Sequence, residues 1–271
     1  MLATIAALFV YPVKSCRGIA LREARMTERG IAHDREWLII DASDRFITQR
    51  DMPRLALITT TLSGTGLQLG APGQPDLAIE FDREGPRRSV TVWRDTLPAI
   101  DQGDAAARWL SQWIGAPVRL VRFDRDAKRM CNPDFAGPGG AHHAFADGYP
   151  VLVLSKASLD DLNRRLDAPL PVNRFRPNLL LSGIEAHDED HVATIEVGSV
   201  KLRLVKPCTR CQITTTDQAS GVVGVEPLPT LAQYRYNAAL DGVTFGMNAI
   251  VEAGAGATIA TGARVDCTLT F

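Results

Sequence analysis

The first 95 residues alternate between short apolar runs and segments rich in glycine, proline or aspartate. Representative runs are 5–13, 37–40, 56–62 and 89–93. Runs of this length and spacing are typical of short β-strands, and many of them in succession predict a β-barrel or a β-sandwich. A hairpin is expected where 37–40 and 45–48 flank the turn residues 41–44. The first part of the chain is therefore expected to be almost entirely β.

The pattern changes at Asp101, after which apolar residues recur at helical spacing. Trp109, Leu110, Trp113 and Ile114 form one stripe, and Asp104 lies near the start, where a helix dipole favours negative charge. We predict an amphipathic helix over about 103–115, with both tryptophans in the core. This helix is expected to join two domains, residues 1–100 and residues 101–271.

Residues 124–149 form the longest irregular segment of the chain. They contain Asn-Pro-Asp at 132–134 and Gly-Pro-Gly-Gly at 137–140. Because loops of this length are uncommon inside compact domains, such a segment is often a binding loop or a lid. His142 and His143 are interpreted as loop residues, and Asp147 stands at the end of the segment.

Strands and two further helices are predicted after this loop. Residues 150–154 are apolar, Ser155 is placed to cap a helix, and strands are expected at 179–181, 194–197 and 200–205. A short helix over 229–234 and strands at 248–252 and 264–270 complete the pattern. The pattern of the whole chain therefore predicts a mainly β (α+β) protein with two β-barrel-like domains and a few helices.

Composition limits the classes of function. The chain has 271 residues, 45% of them hydrophobic, and a formal charge of −1, so no overall positive field recruits nucleic acid. The five cysteines, an odd number, are scattered, which argues against a disulfide framework and favours a reducing compartment. The apolar N-terminus lacks a basic region and is interpreted as a first strand. We therefore expect a cytoplasmic protein without a membrane segment.

The most reactive segment is Lys206-Pro-Cys208-Thr-Arg210-Cys211. Cations beside a thiol favour the thiolate, which is the form that attacks or binds a metal. A redox dithiol would need a helix after the cysteines, but Gln212–Thr216 is strand-like. A structural zinc site needs four ligands, and this segment supplies two. The local chemistry alone leaves open a dithiol, a zinc site and an inert buried pair.

Six separated motifs, taken together, resemble the MOSC family, and most closely its amidoxime-reducing branch, which carries an N-terminal β-barrel domain before the MOSC domain. The similarity spans almost the whole chain with the motifs in the same order. These motifs are Tyr11–Cys16, Asp34–Trp37, Gln49–Leu55, Asn173–Asn178, Cys208–Cys211 with Thr214–Asp217, and Glu226–Leu228 with Tyr234–Arg235.

The resemblance implies a MOSC fold in the C-terminal part and a molybdenum cofactor, the molybdenum–molybdopterin group, bound between the two domains. Cys211 would be the metal ligand, since a soft thiolate suits a metal already held by sulfur, with Arg210 helping to keep it deprotonated. Cys208 would be its neighbour. Asp147 would lie near the metal and orient a substrate or hold a proton. The other residues implied to bind cofactor are Lys14, Ser15, Arg35, Arg176, Asn178, Thr209 and Arg210.

The activity implied is reduction of N-hydroxylated compounds, namely amidoximes, hydroxylamines or N-hydroxylated bases. The chain lacks the cysteine cluster of an appended ferredoxin domain, so a separate electron donor is expected: a ferredoxin, a flavoprotein or a small haem protein. Two alternatives stay open. One is a sulfur carrier or cofactor-binding module with a persulfide on Cys208 or Cys211. The other is a β-barrel binding domain without enzymatic activity.

Overall fold

The computed structural model describes residues 1–270, which contain 21 strands and four α-helices. The strands are β1 Leu2–Val10, β2 Ile19–Leu21, β3 Glu23–Thr27, β4 Gly30–Ile31, β5 Trp37–Asp41, β6 Thr59–Leu62, β7 Gly66–Ala71, β8 Gln74–Glu80, β9 Arg87–Val92, β10 Asp95–Asp101, β11 Val118–Phe123, β12 Arg129–Met130, β13 His142–His143, β14 Val151–Ser155, β15 Leu179–Ser182, β16 Val192–Val197, β17 Val200–Thr209, β18 Tyr236–Asn237, β19 Gly242–Ala253, β20 Thr258–Ala260 and β21 Arg264–Leu269. The helices are α1 Gly103–Ile114, α2 Pro133–Ala136, α3 Lys156–Arg164 and α4 Leu228–Arg235.

Seven strands form a closed barrel in the order β14, β15, β1, β21, β16, β17, β19, with β19 pairing back to β14. Neighbours are antiparallel except β14 and β15, which are parallel. Alternate side chains point inward, and Ile5, Leu8 and Val265 are fully buried in the barrel core. Closure matters because a sheet joined to itself has no unpaired edge.

A second core lies between α1 and two smaller sheets. One sheet has the order β5, β11, β10, β9, and the other is β6, β7, β8. Trp109 and Trp113 of α1 are buried there, as the helical stripe predicted. The helix ends at Gly115, whose φ of 82° is the left-handed conformation that favours glycine at this position. The predictions of a helix over this segment and of a mainly β fold with few helices are confirmed.

Strands on each side of the expected domain boundary near residue 100 pair with strands on the other side. Strand β1 lies between β15 and β21, which belong to the second half of the chain. Strand β11, which begins after residue 100, pairs with β5, which lies before that residue, and with β10, which spans it. The boundary at residue 100 stays a prediction, and the pairing makes both parts of the chain contribute to the barrel.

Two local expectations are corrected. The strand expected after Cys211 is a 3-10 turn over Gln212–Thr215, because the hydroxyls of Thr214 and Thr215 donate to the carbonyls of Cys211 and Gln212 rather than leaving the backbone to a sheet. The irregular segment 124–149 also has its own structure, since β12 pairs with β13 and α2 lies between them. His143 is thus a buried strand residue.

Among the helices within residues 1–270, none combines the length and the apolar character needed to span a bilayer.

Candidate functional site

All nine predicted site residues line one cavity of about 250 Å³. They come from the segments after β1 and before β5, from the segments that lead into β14 and β15, and from the end of β17 with the two residues after it. Tertiary pairing of the barrel strands therefore brings together residues far apart in sequence. The nine are Lys14, Ser15, Arg35, Asp147, Arg176, Asn178, Thr209, Arg210 and Cys211.

A buried ammonium group faces a carboxylate at one side of this cavity. Lys14 is 5% exposed, and its Nζ donates to the carbonyl of Phe145 at 2.8 Å and to Asp147 Oδ1 at 2.7 Å. Trp93 Nε1 donates to the same carboxylate oxygen at 3.0 Å. Desolvation lowers the pKa of Lys14. The Asp147 side chain is 64% exposed, and the Lys14 ammonium together with these hydrogen bonds holds its pKa well below the usual range. Asp147 is thus a stable carboxylate.

Two guanidinium groups lie against the ring of Tyr11 deeper in the cavity. The Cζ atoms of Arg35 and Arg176 are each 4.3 Å from the ring centroid. Both arginines have positive φ, 48° and 56°, a conformation that is uncommon for residues other than glycine. Burial lowers the pKa of Arg176 to about 10, with the charge of Arg35 acting in the same direction. Arg35 is also paired with the buried carboxylate of Asp34, so within the described part of the chain Arg176 is the guanidinium of the two without a carboxylate partner.

Asn178 contacts protein groups on three sides. Its Oδ1 accepts from Arg35 Nη1 and from the Leu152 amide, each at 3.0 Å, and its Nδ2 donates to the carbonyl of Phe9 at 3.2 Å. The side chain lines the cavity but is 1% exposed. In this structure Asn178 therefore orients Arg35.

The two cysteines of the Cys-Thr-Arg-Cys segment have different surroundings. Cys211 is exposed and precedes the 3-10 turn, whereas Cys208 is half-buried at the end of β17. Arg210 was expected to support Cys211, but its Nη1 donates to Cys208 Sγ at 2.9 Å. The reason is that alternate residues of an extended chain point to the same side. Arg50 instead approaches Cys211, with Nη1 3.7 Å from Sγ.

The remaining cysteines do not line this cavity. Cys16, Cys131 and Cys267 are buried, and all five cysteines are free. Burial raises the pKa of Cys16 and of Cys131 to about 12, which leaves both as neutral thiols. No group of three or more His, Cys, Asp or Glu side chains in residues 1–270 is arranged to hold a metal ion. A zinc site completed by protein ligands is therefore not supported.

The chemistry of the cavity fits a molybdenum cofactor. Its lining includes six cationic side chains and a single carboxylate, a balance that suits a phosphate-bearing ligand. Within residues 1–270 the buried Nε atoms of Arg174 and Arg210, two lining residues, have no hydrogen-bond partner. The one exposed thiol, Cys211, suits a metal that brings its own sulfur ligands. The cations are Lys14, Arg35, Arg174, Arg176, Lys206 and Arg210.

Several residues that line this cavity, or that contact the groups lining it, were not predicted from the sequence. Arg50 lies in the Gln49–Leu55 motif without an assigned role, and Arg174 lies in the Asn173–Asn178 motif. Lys206 was noted only as a cation near the cysteines, and Tyr149 only as the end of the loop. Trp93 was interpreted as a strand end. A tryptophan in a tight hairpin turn was the one local signal that could have drawn attention to it.

Comparison with known proteins gives a consistent result. The chain matches the MOSC N-terminal beta barrel domain over residues 2–117 and the MOSC domain over residues 140–266. It is 37% identical over 243 residues to mitochondrial amidoxime-reducing component 1 of Homo sapiens, covering 86% of this chain and 72% of that protein. Mitochondrial amidoxime reducing component 2 of Rattus norvegicus is 34% identical over 244 residues, with the same coverage. The Danio rerio component 1 is 34% identical over 238 residues, covering 84% and 73%.

Proposed function

Since the chain belongs to the family of MOSC proteins that carry an N-terminal β-barrel domain, we propose that it is a molybdenum-cofactor-dependent reductase of N-hydroxylated compounds. The similarity to amidoxime-reducing components supports the type of reaction. The main support for the proposal is that nine predicted residues lie together in one cationic cavity that contains an exposed thiol.

In this proposal different cavity residues bind different parts of the cofactor. Lys14 and Ser15 face its phosphate, and Arg35 and Arg176 hold phosphate or pterin edges through planar donors. Asn178 keeps Arg35 in position. Thr209 and Arg210 lie beside the pterin, and Cys211 is the metal ligand. Arg50 Nη1, at 3.7 Å from Cys211 Sγ, places a positive charge beside this ligand.

The cofactor, when bound, supplies the two-electron chemistry at molybdenum. The overall reaction of an amidoxime consumes two electrons and two protons, breaks the N–O bond, and yields an amidine and water. Asp147 accepts a hydrogen bond from the substrate N–H or O–H and orients the N–O bond toward Cys211. Lys14 keeps Asp147 anionic and is the nearest proton-bearing group to it.

Electrons come from a separate protein, which we propose to be a ferredoxin, a flavoprotein or a small haem protein. Purified, cofactor-loaded protein is therefore expected not to reduce benzamidoxime with NADH alone. Turnover under that condition would contradict a separate donor. A cytoplasmic location also remains a proposal, based on the free cysteines.

The test is to express the protein in a host that makes the molybdenum cofactor, and to measure molybdenum content and benzamidoxime reduction with a reduced viologen dye. We expect near-stoichiometric molybdenum in the wild type. Cys211→Ser is expected to lose more than about 100-fold in kcat, because even groups outside a metal's ligand shell are worth 10–100-fold. Cys208→Ser is the matched control and, as a change outside the metal's ligand shell, is expected to lose at most about 10–100-fold. Equal losses in both variants, with unchanged unfolding curves, would contradict the assignment.

The sulfur-carrier alternative has one observation in its favour. The contact of Arg210 Nη1 with Cys208 Sγ would stabilise an anionic sulfur on Cys208. Mass spectrometry of the intact protein separates the two functions. Metal-free protein with a persulfide on Cys208 or Cys211 would support the carrier, and molybdenum with pterin would support the reductase.

A further inference from the structure

A second cavity, of about 1130 Å³, adjoins the cavity that contains Cys211. The two share Asp147, Gly148, Tyr149 and Lys206 in their linings. The first cavity, at about 250 Å³, is much smaller, and its lining includes six cationic side chains. A ligand in the second cavity would therefore reach the Cys211 side past Asp147.

The wall of the second cavity exposes large apolar side chains. Trp93 is 47% exposed and Met130 is 52% exposed, although both types are usually covered in a folded protein. Phe46 packs against Trp93 with ring centroids 5.2 Å apart and completes the apolar surface. Exposed apolar groups gathered in a concave surface are characteristic of ligand sites.

Trp93 adopts a backbone conformation that is unfavourable for a bulky residue. It is the first residue of the two-residue turn between β9 and β10, in which Val92 pairs with Asp95. Its φ is 59°, where tight turns favour Gly, Asn or Asp. A bulky residue at positive φ is a strained outlier, and such outliers cluster at functional sites. The indole is thus held in the cavity at a conformational cost.

Contacts of Trp93 connect this wall to the reactive groups. Its Nε1 donates to Asp147 Oδ1 at 3.0 Å. The guanidinium of Arg50 lies 4.5 Å from the indole centroid, and the same side chain has Nη1 3.7 Å from Cys211 Sγ. One arginine therefore spans the distance between the aromatic surface and the thiol.

Two buried polar atoms at this cavity have no hydrogen-bond partner within residues 1–270, namely His143 Nδ1 and Tyr149 Oη. Burial lowers the pKa of His143 to about 3 and raises the pKa of Tyr149 to about 12, so both groups are neutral at physiological pH. The two side chains therefore add no charge to the lining of this cavity.

We propose that the second cavity binds a planar aromatic group of the N-hydroxylated substrate, with Trp93 and Arg50 as its stacking surface. This inference rests on the proposed function and names the substrate class that the site prefers. An aromatic ring against Trp93 places its N-hydroxyl substituent on the Asp147 side, toward Cys211. Substrates without a ring lose this contact.

The experiment compares benzamidoxime with acetamidoxime, which carries the same reacting group without a ring. The variants are Trp93→Ala and Trp93→Phe, which both lose the hydrogen bond to Asp147 but differ in the aromatic face. Tyr236→Ala removes an exposed aromatic side chain outside the second cavity and serves as the control. The readout is the ratio of kcat/KM for the two substrates with a reduced viologen dye.

We expect this ratio to fall about tenfold in Trp93→Ala, since stacking on an aromatic side chain is worth about 1–3 kcal/mol. The ratio should stay within about twofold of wild type in Trp93→Phe, which keeps an aromatic face, and in Tyr236→Ala, which leaves the cavity intact. Equal ratios in wild type, Trp93→Ala and Trp93→Phe would overturn the proposal.

A binding measurement separates this proposal from the proposed function. Titration calorimetry with benzamidoxime on protein kept without reductant measures affinity in the absence of turnover. A Kd about tenfold weaker in Trp93→Ala than in Trp93→Phe supports the aromatic site. Equal Kd values in the two variants contradict it. Loss of the proposed function would appear differently, as molybdenum-loaded wild type that reduces neither amidoxime.

Discussion

The Lys14–Asp147 pair shows how single residues determine the charge of the site. Lys14 is buried, and Asp147 is the one carboxylate in the lining of the Cys211 cavity. Burial alone would favour the neutral form of Lys14, but its ammonium lies 2.7 Å from the carboxylate of Asp147, whose side chain is 64% exposed. Because the pKa of Asp147 is depressed, its stabilising contribution is present above its unfolded pKa and is lost as pH falls through the folded value.

Lys14→Met removes the cation and nearly preserves the length of the side chain. We expect the pKa of Asp147 to rise by about 1–3 units, because an opposite charge at this distance lowers a carboxyl pKa by that amount. The acid limb of the kcat/KM profile for benzamidoxime should then move to higher pH. Carboxyl ¹³C NMR titration of Asp147 measures the same shift directly.

Lys156→Met is the matched control, since Lys156 forms a 2.7 Å pair with Asp160 on the exposed face of α3. Its pH profile should be that of the wild type. An acid limb that does not move in Lys14→Met would show that Lys14 does not control the charge of Asp147.

At the scale of elements, the site depends on two short connections. The turn Gln212–Thr215 follows Cys211, and hydroxyl bonds from Thr214 and Thr215 hold it in place of a strand. The turn between β9 and β10 carries Trp93 over the second cavity. Both connections depart from the structure that their residue types favour, which is where functional constraints are expected.

The strain at Trp93 can be measured by comparing Trp93→Gly with Trp93→Ala. Both variants lose the indole and its contacts, but glycine tolerates positive φ and alanine does not. We expect the glycine variant to be the more stable of the two by about 1 kcal/mol in the free energy of unfolding. Urea denaturation followed by circular dichroism tests this difference. Equal stability of the two variants would contradict the strained conformation.

At the scale of the whole molecule, β1 closes the barrel. It lies between β15 and β21 and contributes the fully buried Ile5, Leu8 and Val10 to the core. Lys14 and Ser15 follow the same strand, so the first residues of the chain serve both the barrel and the candidate site. A fragment without β1 would have two unpaired edges and an open core.

We therefore expect a fragment of residues 101–271 to lack a cooperative unfolding transition. Addition of a peptide of residues 1–21 should restore the transition and the near-UV circular dichroism in a concentration-dependent manner. A peptide with Leu8→Asp is the control and should fail, since it would bury an unpaired charge. Cooperative unfolding of the fragment alone would instead support an independent domain beginning near residue 100.

Local sequence patterns were sufficient to predict part of this structure. Helical spacing predicted α1 and its two buried tryptophans, and short apolar runs predicted a mainly β fold. The motif residues, compared with a known family, predicted nine residues that share one cavity. These inferences succeed because periodicity and residue chemistry are properties of short segments.

Only the tertiary structure decided how these segments are combined. In the folded protein β1 pairs with strands from the second half of the chain. Arg210 contacts Cys208, and Arg50 contacts Cys211. Trp93 donates a hydrogen bond to Asp147. The tertiary structure also converted the expected strand after Cys211 into a turn. Strand partners and side-chain contacts between distant residues depend on register and packing across the whole molecule, and no local pattern encodes them.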